Sequence, residues 1–327
     1  MLLAIIIILT VSFILYTLLG GADFGAGIIE TFVGAKGEKE VSKAMAPVWE
    51  ANHVWLILAI VIIFTGFPSV YAVLSLYLHI PLMIVLIGII LRGSAFVFRF
   101  YDVSDNRLHR SFGILFKASS FITPVFLGVT LGAMLLGDIN TENSGSFYER
   151  FIYPWCNLFC FTLGLFVTSL FAYIAAIFLT GETIGKERKI YIRWSKVFMA
   201  LTFFIGGLVI VTGEYKNHQL FNGFFRSPAS LAALSVVVIL IPVIFYLFNH
   251  PRIIILRAVI AMQVSLIILG WFAIHYPVLV YIKNGNHLTF LNSAAPDATL
   301  FQLFIALIVG LVLVLPGFFY LFKVFKN

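Results

Sequence analysis

Residues 1–19 read MLLAIIIILTVSFILYTLL, a run without a charge, a proline or a glycine, and without alternation of polar and apolar positions. About 20 residues cross the ~30 Å hydrocarbon core of a bilayer as an α-helix, at ~1.5 Å per residue. A membrane β-strand needs only ~10 residues and alternates its faces, so this stretch selects a helix. A helix also satisfies its own backbone hydrogen bonds in lipid. The run has no basic leader and no small-residue cleavage site, so we expect a retained span and not a removed signal. The remaining sequence repeats the theme: 61% of the 327 residues are hydrophobic and 11% charged, against about half and a quarter in soluble domains. The excess falls in blocks, which predicts an all-α polytopic membrane protein.

Hydropathy places about nine spans, near 1–33, 49–67, 70–91, 113–136, 155–180, 194–213, 231–248, 253–275 and 300–322, in a single integral membrane domain over 1–327. Four, four and one is compatible with two four-helix bundles plus a peripheral helix. The connecting segments are too short for a soluble domain. With the N-terminus outside and the C-terminus cytoplasmic, 17 of the 21 Lys and Arg fall on the inner side, and only Arg150, Lys216, Arg226 and Lys283 outside. The positive-inside rule predicts that bias, and one missed span would reverse every later loop. The formal charge of +7 thus reports topology and not nucleic-acid binding. There is no P-loop, which argues against nucleotide-driven transport.

Ionisable groups inside spans are costly and mark sites or pathways. Asp23 lies in GGADFGAG (20–27), where Gly21, Gly25 and Gly27 let helices approach closely; it reads as a proton or cation relay, or as a carboxylate capping a neighbour. Glu30, two turns on, reads as reaching the headgroups near Lys36. The sharpest polar cluster is PVWEANHVW (47–55). Glu50 and His53 are spaced i,i+3, Asn52 can both donate and accept, and Trp49 and Trp55 suit an interfacial belt. Glu-x-x-His also occurs in di-iron bundles, but those need a second copy and none is present. Arg92 and Arg99 read as inner-face topology signals, and His79 as a core histidine. Cys156 and Cys160 read as packing thiols. No histidine stands out as a haem ligand and there is no Cys-x-x-Cys-His, so no metal is expected in this chain.

These stretches carry a resemblance. Residues 20–27 resemble the D-G-F-D-x-G-x-G of the first span of subunit II of cytochrome bd quinol oxidase. PVWEANHVWLI (47–57) resembles that family's P-x-W-D-G-N-x-V-W-L-I, and FPSVYA (67–72) its following F/W-P-x-x-Y-A turn. LNSAAPDAT (291–299) resembles the polar segment before its last helix. The order is kept from first span to last. Gly20 replaces the family's first aspartate and Glu50-Ala51 its Asp-Gly, which points to a divergent branch such as the cyanide-insensitive type.

The resemblance implies a subunit of an enzyme that oxidises membrane quinol and reduces dioxygen to water, building proton-motive force. It implies a heterodimer with subunit I, which carries haem b and haem d, in a bacterial or archaeal plasma membrane. It leaves room for a small single-span accessory subunit, bound lipid and, in some members, a structural quinone. It assigns Asp23 and Glu50 to a cytoplasmic-side proton pathway, with Trp49, Asn52, His53 and Trp55 as the supporting motif. The rival readings are a proton-coupled secondary transporter and a purely structural subunit.

Overall fold

In the computed structural model the uncharged first run forms α1 (Leu2–Leu15), passes through a π-helical turn at Tyr16–Gly20 and continues as α2 (Gly21–Val33). The structure describes residues 1–45, 52–101, 107–142, 145–216, 223, 226–250, 252–283 and 285–325. A π-turn adds a residue and so rotates the helix beyond it about its axis. Every residue from Asp23 to Glu30 is buried past that turn. Gly34, at φ 77°, closes α2, and α3 (Ala35–Met45) follows.

Next come α4 (Val54–Gly66) and α5 (Pro68–Tyr77), bent by 112° at Phe67. Pro68 suits the start of α5, where its missing N–H leaves no helical bond unmade. The segment read from hydropathy as a span over 70–91 is divided here. Its first part belongs to the sideways α5; Leu78 leaves helical geometry (φ −112°, ψ 20°), and α6 runs His79–Tyr101. A hydropathy window averages across such a corner because both sides of it are apolar.

The chain continues through α7 (Arg107–Leu136), the short α8 (Phe147–Phe151), α9 (Leu158–Thr180), α10 (Gly185–Tyr215), α11 (Pro228–Phe248) and α12 (Ile253–His275). A small antiparallel pair, β1 (Val278–Val280) and β2 (Leu288–Thr289), precedes α13 (Asp297–Phe325). Among the described residues eight helices are long and apolar enough to cross a membrane, and the bent α4–α5 pair brings the number up to nine. The protein is a polytopic all-α membrane protein.

Packing centres on α9, which lies against α2, α7 and α10 and has 78% of its apolar window buried. Missing side chains bring these helices close. A Cβ on Gly21 would lie 2.7 Å from the Phe171 ring, and one on Gly25 would strike the Phe171 carbonyl. Gly27 faces Ser120 of α7, and a Cβ on Gly128 would stand 2.6 Å from the Cα of Gly164. Both cysteines are free, and Cys160 is buried under Gly132. Helices α11 and α12 pair with each other, and α13 rests on α4 and α1 with only 17% of its window buried.

The connections sort into two groups that do not mix. At one end, Lys283 N–H donates to the Ile139 carbonyl, Ala295 N–H to the Gly66 carbonyl, and Lys216 pairs with Asp138 at 3.6 Å. At the other, His109 meets Glu38 at 2.8 Å, Tyr191 donates to Glu40, and Arg257 meets Glu182 at 2.9 Å. Alternate connections therefore share an end, as successive crossings require.

Candidate functional site

Asp23 and Glu30 sit seven residues apart on α2, a rise of ~10 Å that returns to nearly the same face. Arg92 and Arg99 have the same spacing on α6, and the two pairs meet. Arg92 donates from Nη1 to Asp23 Oδ2, from Nη2 to the Asp23 carbonyl at 2.7 Å, and from Nε to Ser120 Oγ at 3.1 Å. Its guanidinium lies 4.8 Å from the Phe24 ring centre and 4.9 Å from that of Phe116. Arg99 Nη1 donates to Glu30 Oε1 at 2.7 Å, with Lys117 Nζ 3.4 Å from the same oxygen. Arg99 Nε then stands 3.9 Å from Glu38 Oε1, which meets His109 Nε2 at 2.8 Å. Acid and base alternate from the middle of α2 to the end of the bundle.

The pairing is what makes the burial tolerable. Asp23, Glu30, Arg92 and Arg99 are each at most 3% exposed. An isolated ion in such surroundings would cost several kcal/mol even after relaxation, which a close partner offsets. The match also fixes topology. Residue 23 meets 92 and residue 30 meets 99, so α2 and α6 run in the same direction. The chain must therefore return between them, and of α3, α4 and α5, which lie between the two in sequence, the bent α4–α5 pair is the one long and apolar enough to do so.

The sequence motif joins this row at one point. His53, just before α4, places Nε2 3.7 Å from Asp23 Oδ2, with its ring edge-on to Phe24 at 5.9 Å between centres. Asn52 is buried and lines, with Asp23, a cavity of about 80 Å³. Arg92 uses Asp23 Oδ2, while Asp23 Oδ1 and Glu30 Oε2 are buried without a hydrogen-bond partner among the described residues. Trp49 and Glu50 lie outside the described residues. Trp55 is buried, with its ring centre 5.8 Å from that of Phe318 of α13.

Two readings are corrected. Glu30 does not reach the headgroups: it is fully buried and held by Arg99 and Lys117. Arg92 and Arg99 are not only topology signals, since each neutralises an acid 69 residues away. The available signal was the shared seven-residue spacing of 23/30 and 92/99, invisible until the two helices are known to run side by side.

Among the described residues no three His, Cys, Asp or Glu side chains gather as a metal set. His79, His250 and His275 each have Nδ1 within 3 Å of a backbone carbonyl three or four residues earlier in the chain.

Such a fold and site define a many-span helical membrane protein with a charge-compensated file of acids and bases inside one bundle. The chain belongs to the cytochrome bd terminal oxidase subunit II family, whose description matches residues 1–325. It is thus one subunit of a terminal oxidase complex, an oxidoreductase. It is 27% identical over 246 residues to the cytochrome bd ubiquinol oxidase subunit 2 of Bacillus subtilis (strain 168), covering 73% of this chain and 70% of that one. It is 26% identical over 170 residues to the cytochrome bd-I ubiquinol oxidase subunit 2 of Escherichia coli (strain K12), covering 51% and 45%. Its fold matches a chain of the bd oxidase from Geobacillus thermodenitrificans with a TM-score of 0.79 and 20% identity, over 99% and 98% of the two chains.

Proposed function

We propose that this chain, as subunit II of a bd-type quinol oxidase, supplies a proton pathway through Asp23 that begins at Glu50. The observation that carries the reading is the state of Asp23. It is fully buried and charge-compensated by Arg92, has an imidazole 3.7 Å away, and keeps one oxygen without a partner among the described residues. A carboxylate that only held two helices together would have no use for a free oxygen, because an unmade buried acceptor is costly. Arg92 keeps the negative charge in place between transfers, and the His53 imidazole, 3.7 Å away, is a second group able to take up and release a proton. Glu30, with its own unpartnered oxygen, lengthens the file toward Glu38 and His109.

Quinol as electron donor is supported by the names of the relatives, which are ubiquinol oxidase subunits. Haem b and haem d belong, on this reading, to subunit I, and supply the oxygen chemistry there. The 17-to-4 distribution of Lys and Arg supports the row's open end facing the cytoplasm and the complex lying in the plasma membrane. Family membership favours the oxidase over a solute transporter. The remaining rival is a structural role for Asp23, and Asp23→Asn separates the two in the purified complex. Asparagine keeps the shape and an acceptor for Arg92 but cannot carry the proton. The relay reading expects oxygen consumption to fall by roughly 10²-fold with haem content unchanged; turnover at the parental rate would leave Asp23 structural.

A further inference from the structure

The row's acids are explained by their bases, but the cavity beside Asp23 is not. It opens between α2, α3 and α9, and its polar lining is Asp23, Asn52 and Glu182. The rest is apolar and much of it small, including Ala22, Ala26 and Ala175. At about 80 Å³ it has room for several waters. The contacts of Gly21 with Phe171 and of Gly25 with Ala175 set α2 and α9 parallel, with Asp23 level with the middle of that stretch. Glu182 lies seven residues past Ala175, ~10 Å further toward the same end. There its side chain is 33% exposed. One end of the cavity is thus a fully buried carboxylate with an oxygen unpartnered among the described residues, and the other a carboxylate that is 33% exposed.

Glu182 is held in place. Arg257 Nη2 donates to Glu182 Oε1 at 2.9 Å and to the Phe178 carbonyl at 2.7 Å, and its guanidinium stands 5.3 Å from the Phe178 ring centre. A Cβ on Gly181 would come within 2.8 Å of the Arg257 Cζ, so a glycine is what admits this arginine. Phe178 itself lines the cavity. Arg257 therefore fixes two parts of the mouth at once.

We infer that this cavity is a water-filled inlet to Asp23, with Glu182 as the proton-accepting group at its mouth and Arg257 as the residue that positions it. Water in the cavity supplies the donor that Asp23 Oδ1 lacks among the described residues, and a short file of waters spans the distance to Glu182. The inlet rests on the Asp23 relay proposed above and adds a second mouth, just past the end of α9, to the one at Glu50.

The test uses the purified oxidase complex, with quinol-driven oxygen consumption read across pH. Bulk water can partly replace a mouth carboxylate, so Glu182→Gln should slow turnover by roughly tenfold, less than the ~10²-fold or more of a fully enclosed transfer group. Glu182→Asp should recover most of the rate, and Ala26→Leu, which fills the cavity, should match Glu182→Gln. Glu182 is partly exposed, so its replacement leaves the core intact even if Ala26→Leu fails to assemble. Parental turnover in Glu182→Gln alongside a slow Asp23→Asn overturns the inlet and leaves the relay with its other mouth. Parental turnover in Asp23→Asn as well overturns both.

Discussion

Replacing Arg92 with methionine keeps much of the length of the side chain and removes its charge. Arg92 makes three hydrogen bonds and lies between two aromatic rings, all inside the bundle. Its loss leaves Asp23 as a buried charge, and breaking a buried pair from one side costs ~3–5 kcal/mol. His53 at 3.7 Å and the adjoining cavity soften that penalty, which places the expectation at the lower end. About 3 kcal/mol is roughly a 10²-fold shift in the folding equilibrium. Removing both charges, as Asp23→Asn with Arg92→Met, should restore ~2 kcal/mol, because the double variant no longer buries an unpaired ion. Asp138 and Lys216 are an internal control: that pair is 22% and 29% exposed, so Asp138→Asn should cost less than ~1 kcal/mol. The assay is denaturant titration of the purified complex followed by circular dichroism. An Arg92→Met variant less than ~1 kcal/mol below the parent, or a double variant no more stable than Arg92→Met alone, would refute the reasoning.

Two further outcomes follow from packing and capping. Gly25→Ala drives a methyl into the backbone carbonyl of Phe171, which cannot move aside, whereas the nearest atoms to the methyl of Gly20→Ala belong to the Tyr16 ring, a side chain and not backbone. Gly25→Ala should therefore sharply reduce the yield of assembled complex on size-exclusion chromatography and Gly20→Ala should not; equal yields would count against the close α2–α9 contact. Beyond the spans, Glu149 closes a capping box with Ser146 at the start of α8, and the Ser146 N–H and then its hydroxyl hold the carboxyl below its ordinary range. A lowered folded-state value means this cap contributes fully above the unfolded carboxylate range, ~4.3, and is lost as pH falls below it. Trp155 donates to the Phe151 carbonyl at 2.6 Å, so the Trp155 emission (parent minus Trp155→Phe) should shift over that acid window, and the shift should disappear in Ser146→Ala.

Hydropathy made the helices legible, because the cost of exposing backbone polar groups to lipid acts on each segment separately and leaves its length in the sequence. The charge bias made alternation legible for the same local reason. PVWEANHVWLI at 47–57 carried the family, since its order and spacing match along one segment. The turn at Phe67 was legible in FPSVYA, but the sideways course of α5 and the division at Leu78 were not, as apolar residues continue on both sides of Leu78.

Asp23 was visible as an acid in a span, yet its partner was not. The Asp23–Arg92 and Glu30–Arg99 contacts join residues 69 apart. Nothing local distinguishes an arginine that neutralises a buried acid from one that merely marks the inner face. Glu30 was misread for that reason, its burial depending on Arg99 and Lys117 from two other helices. The sequence by itself determined that the chain is helical, spans the membrane many times and belongs to its family, because those properties follow from local composition and motif. The tertiary structure alone decided which charges meet, where a cavity reaches them and which acid stands at its mouth, because these depend on how α2, α6, α7 and α9 are set against one another.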